Sequence, residues 1–216
     1  MKRRWVIVAI SSIVLIGAGT LVQTARKNRQ LAKDATAFRI RAEQGDAEAQ
    51  FKLGSIYSKG KGVPKDFVEA VRWYRKSAEQ GYAKAEFNLS NMYHDGKGVP
   101  QDFAEAERWC RKAAEQDDVR GQTGLGYLYF RGEGVPQDYA EAARWYRKSA
   151  DQGYADAQYD LGYMYYYGYG VQQDRVQAHD LFQRAADRGN EDAKRALECS
   201  RKGISIDPGA GLRGLQ

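Results

Sequence analysis

Residues 45–81 read GDAEAQFKLGSIYSKGKGVPKDFVEAVRWYRKSAEQG, and the stretch recurs along the chain at intervals of 36 residues. Gly45, Gly81, Gly153 and Gly189 fall in register, with Asp117 filling the third slot. Leu53, Leu89, Leu125, Leu161 and Leu197 repeat, as do Tyr57, Tyr93, Tyr129 and Tyr165. The pairs Gly60/Gly62, Gly96/Gly98, Gly132/Gly134 and Gly168/Gly170 each precede a valine. Asp66, Asp102, Asp138 and Asp174 recur, and so do Ala70, Ala106, Ala142 and Ala178. Trp73, Trp109 and Trp145 give way to Leu181. Self-similarity at one fixed period marks a repeat architecture, in which each unit packs only on its neighbours.

Each unit reads as two antiparallel helices. The first, helix A, is expected from about Ala47 to Tyr57, because Ala49, Leu53, Ile56 and Tyr57 share one face at helical spacing. Glycine then stops it, since glycine accepts the left-handed cap. Asp66 is placed to cap the second, helix B, and Glu69 three residues on would complete a capping box. The box recurs as Asp102/Glu105 and Asp138/Glu141 and softens to Asp174/Gln177. Helix B carries Ala70, Trp73, Tyr74 and Ala78 on one face and ends at Gln80-Gly81. Gly54, Gly126 and Gly162 fall inside helix A, where glycine costs about 1 kcal/mol against alanine. Their recurrence predicts backbones packed too closely for a larger side chain. The third unit places Gly121, Thr123 and Gly124 in helix A, which predicts the least stable helix of the series. No unit can bury its aromatic face alone, so the units must stack.

The pattern A-x-x-x-L-G-x-x-Y-x-x-G-x-G-V-x-x-D-x-x-x-A-x-x-W-Y-x-x-A-A-x-x-G resembles the Sel-1-like repeat (SLR) family, a relative of the tetratricopeptide repeat. The resemblance covers about 170 residues, with units at 46–81, 82–117, 118–153 and 154–189. It implies an all-α fold, an α/α solenoid wound as a right-handed superhelix, and a role as an adaptor through protein contact. Residues 26–44 read as a basic linker and an isolated helix B, with Phe38 in the slot of Tyr74 and Ala42 in that of Ala78. Asn190 to about Lys202 reads as a terminal helix A. These are the two caps of a repeat region spanning 45–202, and the Gly-rich residues 203–216 read as a flexible tail. Some SLR proteins carry paired cysteines within each repeat; this chain has only Cys110 and Cys199, more than two units apart.

Charge separates the repeats from what precedes them. The chain has 34 Lys and Arg against 28 Asp and Glu, a net charge of +6. Residues 1–33 hold seven of the basic residues and no acidic one, so residues 34–216 carry 27 basic against 28 acidic side chains. The near-neutral body gives no electrostatic argument for nucleic acid. Within 1–25, Trp5 to Val22 form an uncharged run of 18 residues behind Lys2, Arg3 and Arg4. As a helix the run would span about 27 Å, enough for a thin bilayer. It is read as a single-pass membrane anchor, with a cleavable signal ending near Gly17-Ala18-Gly19 as the alternative. Basic residues flank the run on both sides, so the positive-inside rule nearly ties. The favoured arrangement has an extracytoplasmic, for example periplasmic, repeat body; the alternative is a secreted effector or envelope protein.

Catalytic chemistry finds no constellation in the sequence. His94 and His179 lie in different units and outside any zinc-binding spacing. Cys110 takes the slot of Tyr74 and Tyr146 and has no histidine at helical spacing to activate it. The Gly-x-Gly pairs follow a helix rather than a strand, so they are turn formers and not a phosphate loop. Neither a catalytic residue, a metal ligand, a cofactor nor a small-molecule substrate is expected, and a hydrolase is the least favoured reading. Surface recognition remains. Opposite Leu53 on helix A lie Phe51, Ser55 and Ser58; the last two become Tyr127 and Phe130 in the third unit, and Tyr163 and Tyr166 in the fourth. Tyr167 and Tyr169 replace charged residues of other units. Tyr127, Phe130, Tyr163, Tyr166, Tyr167 and Tyr169 are therefore the candidate partner-binding residues, with ring packing as the competing reading.

Overall fold

A computed structural model describes residue 30 and residues 33–202. The anchor or signal of residues 1–25, part of the basic linker and the tail of 203–216 lie outside the described residues. Ten helices and no strand are found among the described residues. A helix through 33–43, α1, precedes α2 (Ala47–Lys59), α3 (Phe67–Glu79), α4 (Ala83–Asp95), α5 (Phe103–Glu115) and α6 (Val119–Arg131). Then follow α7 (Tyr139–Asp151), α8 (Ala155–Tyr167), α9 (Arg175–Asp187) and α10 (Glu191–Arg201). Even-numbered helices are A helices and odd-numbered ones B helices. No described helix is long and apolar enough to cross a membrane.

The caps explain why the helices begin and end at the same place in every unit. The side chains of Asp66, Asp102, Asp138 and Asp174 each accept from two backbone N–H groups of the following B helix. The reciprocal half of the expected capping box is not made. The Asp66, Asp102, Asp138 and Asp174 backbone N–H groups donate instead to Tyr57, Tyr93, Tyr129 and Tyr165 carbonyls at 3.0 Å. This ties the loop back to helix A and frees the glutamate. Glu69 and Glu105 use that freedom to accept from the Trp73 and Trp109 indole N–H groups, each at 3.1 Å. At the end of α5 the glycine slot is filled by Asp117, which adopts the left-handed conformation at φ 60° and accepts from Gln122 Nε2 at 3.1 Å.

The buried layer runs between the A and B helices. Ala49, Leu53, Ala70, Trp73, Tyr74 and Ala78 are all buried, and Leu89, Leu125 and Leu161 extend the layer through the later units. Phe38 and Ala42 of α1 close one end on the first core cluster, and Ala193, Ala196 and Leu197 of α10 close the other. Gly54 and Gly126 face a tyrosine ring rather than a backbone, which corrects the expectation for them, while a Cβ on Gly162 would meet both the Phe182 ring and the Ala178 carbonyl, the latter at 3.2 Å. A Cβ on Gly54 would stand 2.7 Å from Tyr74 Cδ1, and one on Gly162 2.9 Å from Phe182 Cε1. Closer backbone contact occurs at Gly121, where a Cβ would meet Ala114 N at 2.7 Å and Ala113 C at 2.8 Å. The third helix A therefore needs its glycine, and it runs thirteen residues, as α2, α4 and α8 do.

The second unit solves the same packing problem by exchange. Where the other units pair glycine with a ring, as in Gly54/Tyr74 and Gly126/Tyr146, it pairs Ser90 with Cys110. Ser90 Oγ donates to Ala106 O at 2.7 Å and Cys110 Sγ donates to Gly121 O at 3.3 Å. Cys110→Tyr alone is expected to lose about 1–3 kcal/mol through overpacking. Adding Ser90→Gly is expected to recover most of that loss. A double-mutant cycle by chemical denaturation checks the coupling; additive losses would refute it.

Candidate functional site

The candidate aromatic residues lie on one side of the third and fourth units. Phe130 is in the last turn of α6, Tyr163, Tyr166 and Tyr167 are in the second half of α8, and Tyr169 is in the loop after it. Their rings form a continuous chain. Phe130 meets Tyr169 at 5.7 Å between centroids, Tyr169 meets Tyr163 at 6.2 Å and Tyr167 at 5.7 Å, and Tyr167 meets Tyr166 at 4.9 Å. Tyr139, the first residue of α7, joins the chain at 4.9 Å from Phe130 and 5.1 Å from Tyr169. Tyr139 was not singled out from sequence, because Phe67 and Phe103 occupy its slot and made it look like ordinary packing. The Arg175 guanidinium closes the far end, 5.2 Å over the Tyr166 ring. Aromatic pairs of this kind contribute about 0.5–1.5 kcal/mol each beyond the area they bury.

Burial divides the set. Tyr163 is only 3% exposed and sits in the core cluster with Tyr159 and Phe182, so it supports the face from beneath. Phe130, Tyr166, Tyr167 and Tyr169 are half-buried and keep part of each ring outside. Tyr127 is half-buried as well, and its ring lies 6.0 Å from His94. His94 occupies the slot of Phe130 and Tyr166 in the second unit. Its Nδ1 is 2.9 Å from Asp95 Oδ1 and its Nε2 is 2.9 Å from Glu133 Oε2. The surface therefore changes from polar at the second unit to aromatic at the fourth along one row of equivalent positions.

A second row runs along the units. Arg39, Arg75, Arg111 and Arg147 each donate to the hydroxyl of a tyrosine eighteen residues on, namely Tyr57, Tyr93, Tyr129 and Tyr165. Arg111 does so at 2.9 Å and Arg147 at 2.7 Å. Each rung joins helix B of one unit to helix A of the next and contributes about 0.5–1.5 kcal/mol net.

The titratable groups do not assemble into a reactive centre. Cys110 is fully enclosed, and burial pushes its thiol well above the usual range, so the nucleophilic thiolate is suppressed. Burial likewise raises the Tyr146 and Tyr159 phenols, with the Asp160 carboxylate adding to both. No group of three or more His, Cys, Asp or Glu side chains could hold a metal ion among the described residues.

The Sel1 repeat model matches residues 47–82, 83–118, 119–154 and 155–190. Among solved structures, the chain is similar to a protective antigen present in uropathogenic Escherichia coli strains that displays an SLR fold. Identity there is 38% and the TM-score 0.72, over 83% of this chain and 39% of that one. It is similar to a Sel1 repeat protein from Oxalobacter formigenes at 39% identity and TM-score 0.68, over 78% of this chain and 49% of that one. Helicobacter pylori cysteine rich protein B matches at 29% identity and TM-score 0.50, over 62% of this chain and 96% of that one. The chain thus spans less than half the length of the first two. No curated protein matches it.

Proposed function

The chain belongs to the Sel1 repeat family, and on that footing we propose that it is a non-enzymatic protein-binding scaffold whose contact surface is the aromatic face of its third and fourth units. Sel1-repeat proteins are typically protein-interaction scaffolds, and their fold neighbours are generally non-catalytic. The observation that carries the placement is the ring chain from Tyr139 to Tyr166. Its members cover one another yet leave Phe130, Tyr166, Tyr167 and Tyr169 partly outside. Tyrosines held in this way lose little entropy on binding and offer both apolar area and a hydroxyl.

Replacing Tyr166 and Tyr167 together by serine is expected to weaken partner capture at least tenfold, while the melting temperature falls by only a few degrees. A photo-crosslinking side chain at position 166 is expected to trap the partner, and one at Val176, which is 82% exposed, is not. Collapse of stability with unchanged capture per folded molecule would make the face packing only.

We further propose that residues 5–22 hold the scaffold at a membrane with the repeats on the extracytoplasmic side. The uncharged run behind Lys2, Arg3 and Arg4 supports the anchor. The small residues Gly17-Ala18-Gly19 favour, as the second reading, a signal whose removal releases an envelope or secreted protein. A mature N-terminus near Thr20 would refute the anchor, and a topology reporter fused after residue 33 reads the side.

A further inference from the structure

The arginine–tyrosine row contains its own demonstration of what these arginines can hold. Arg111 Nε donates to Glu107 Oε1 at 2.6 Å while its Nη2 donates to Tyr129 Oη. Glu107 stands one turn earlier on the same helix. Arg147 makes the tyrosine bond in the same way, but the residue one turn earlier is Ala143, and Arg147 forms no ion pair among the described residues. Arg39 and Arg75 also follow apolar residues, Ala35 and Val71. What separates Arg147 from them is the wall across from it.

That wall belongs to the fourth unit, which departs from the others at three positions at once. Gln177 replaces Glu69, Glu105 and Glu141; Gln172 replaces three prolines; and Leu181 replaces three tryptophans. The first change removes a negative charge that would repel an anion. The last puts a smaller side chain into the core cluster that holds Ala142, Ala143 and Tyr146. A cleft of about 470 Å³ lies here, walled by Arg147, Tyr165, Val171 and Asp174, with Gln172, Gln173 and Gln177 around them. Asp174 lines the cleft as well, and its Oδ1 is taken up by the helix start, accepting from the Val176 and Gln177 N–H groups at 2.9 and 3.0 Å. A guanidinium offers five donors in a planar fork suited to a carboxylate, and Tyr165 takes one of them.

We propose that this cleft binds a carboxylate of a peptide ligand, held by the Arg147 guanidinium in the place that Glu107 takes beside Arg111. The side chains that would hold the ligand are not those of the aromatic face, although Gln173 donates to the Tyr166 carbonyl. Its ligand is an acidic side chain or a C-terminus, and the glutamine amides supply neutral hydrogen bonds around it.

The test uses the full-length, nitrogen-labelled chain and follows the Arg147 Nε–Hε resonance, identified by its loss in Arg147→Gln. N-acetyl-glutamate α-amide probes a side-chain carboxylate and N-acetylglycine a terminal one; N-acetyl-glutamine amide is the neutral control. At least one carboxylate is expected to shift the resonance saturably, with the control at least tenfold weaker. Ala143→Glu supplies the missing internal carboxylate and is expected to weaken binding at least tenfold. Should that variant fail to fold, Gln177→Glu, which restores the residue of the other units, is expected to weaken binding severalfold. The proposal is overturned if the control binds as tightly as the carboxylates, if neither carboxylate moves the resonance, or if the charge-adding variants bind unchanged.

Discussion

Replacing Trp109 by alanine is expected to cost about 3–5 kcal/mol, the usual range for truncating a large buried aromatic. The indole is 4% exposed and shares a core cluster with Val71, Trp73 and Met92 of the preceding elements. Its N–H is held by Glu105, and Arg108 and Lys112 lie over the ring at 4.5 and 4.6 Å. The loss therefore combines area, a hydrogen bond and two cation contacts, against a total stability of about 5–15 kcal/mol for a typical domain. Solenoids unfold through neighbour interfaces, so the first two units are expected to melt before the others. Trp145 is only half-buried, and Trp145→Ala is expected to cost clearly less. Urea unfolding with amide exchange resolved by unit checks both; equal losses at the two positions would contradict the core assignment.

Gly134→Ala is the second large effect, expected at about 2–5 kcal/mol. Gly134 has φ +78°, and a Cβ there would stand 2.1 Å from Phe103 O, the first carbonyl of α5. The loop of one unit is thus pressed against the start of the preceding helix B. Two penalties add, a left-handed backbone at about 1–2 kcal/mol and a clash that must displace backbone at about 1–3. Gly81→Ala separates them. Gly81 has φ +79° with nothing within 4 Å of its Cβ direction. Only the backbone term applies there, so about 1–2 kcal/mol is expected. If thermal or urea denaturation finds the two variants equally destabilised, the close approach at Gly134 carries no energy.

The fold was legible because its signals repeat. Leucine, tyrosine, glycine and aspartate at one period give the helix pairs, their caps and their stacking without any tertiary information. What escaped were features made by pairs of residues far apart in sequence. The carboxylate of Glu69 could serve its own cap or the indole of Trp73, and spacing alone does not choose between them. Ser90 and Cys110 each look like a tolerated departure, and only their contact with one packing slot shows an exchange. The aromatic face was half legible. Phe130, Tyr166, Tyr167 and Tyr169 emerged from slot variability, whereas Tyr163, chosen by the same rule, is buried in a core cluster that α9 completes with Phe182. The cleft beside Arg147 needs three substitutions read together with Ala143, and none of the four is conspicuous by itself.

The arginine–tyrosine rungs change what counts as the module of this chain. A rung spans eighteen residues, half a period, and bonds the second helix of one unit to the first helix of the next. The described chain opens on α1, a B helix, and closes on α10, an A helix, so it divides equally well into five B–A pairs. The last pair lacks a rung, since Gln183 and Arg201 stand where arginine and tyrosine would be. Lengthening or shortening by whole multiples of 36 residues within the rung-bearing units adds or removes whole rungs and leaves the others paired, whichever helix the cut begins on. A gene encoding such a chain can thus gain or lose segments by recombination at almost any phase without needing a new kind of joint.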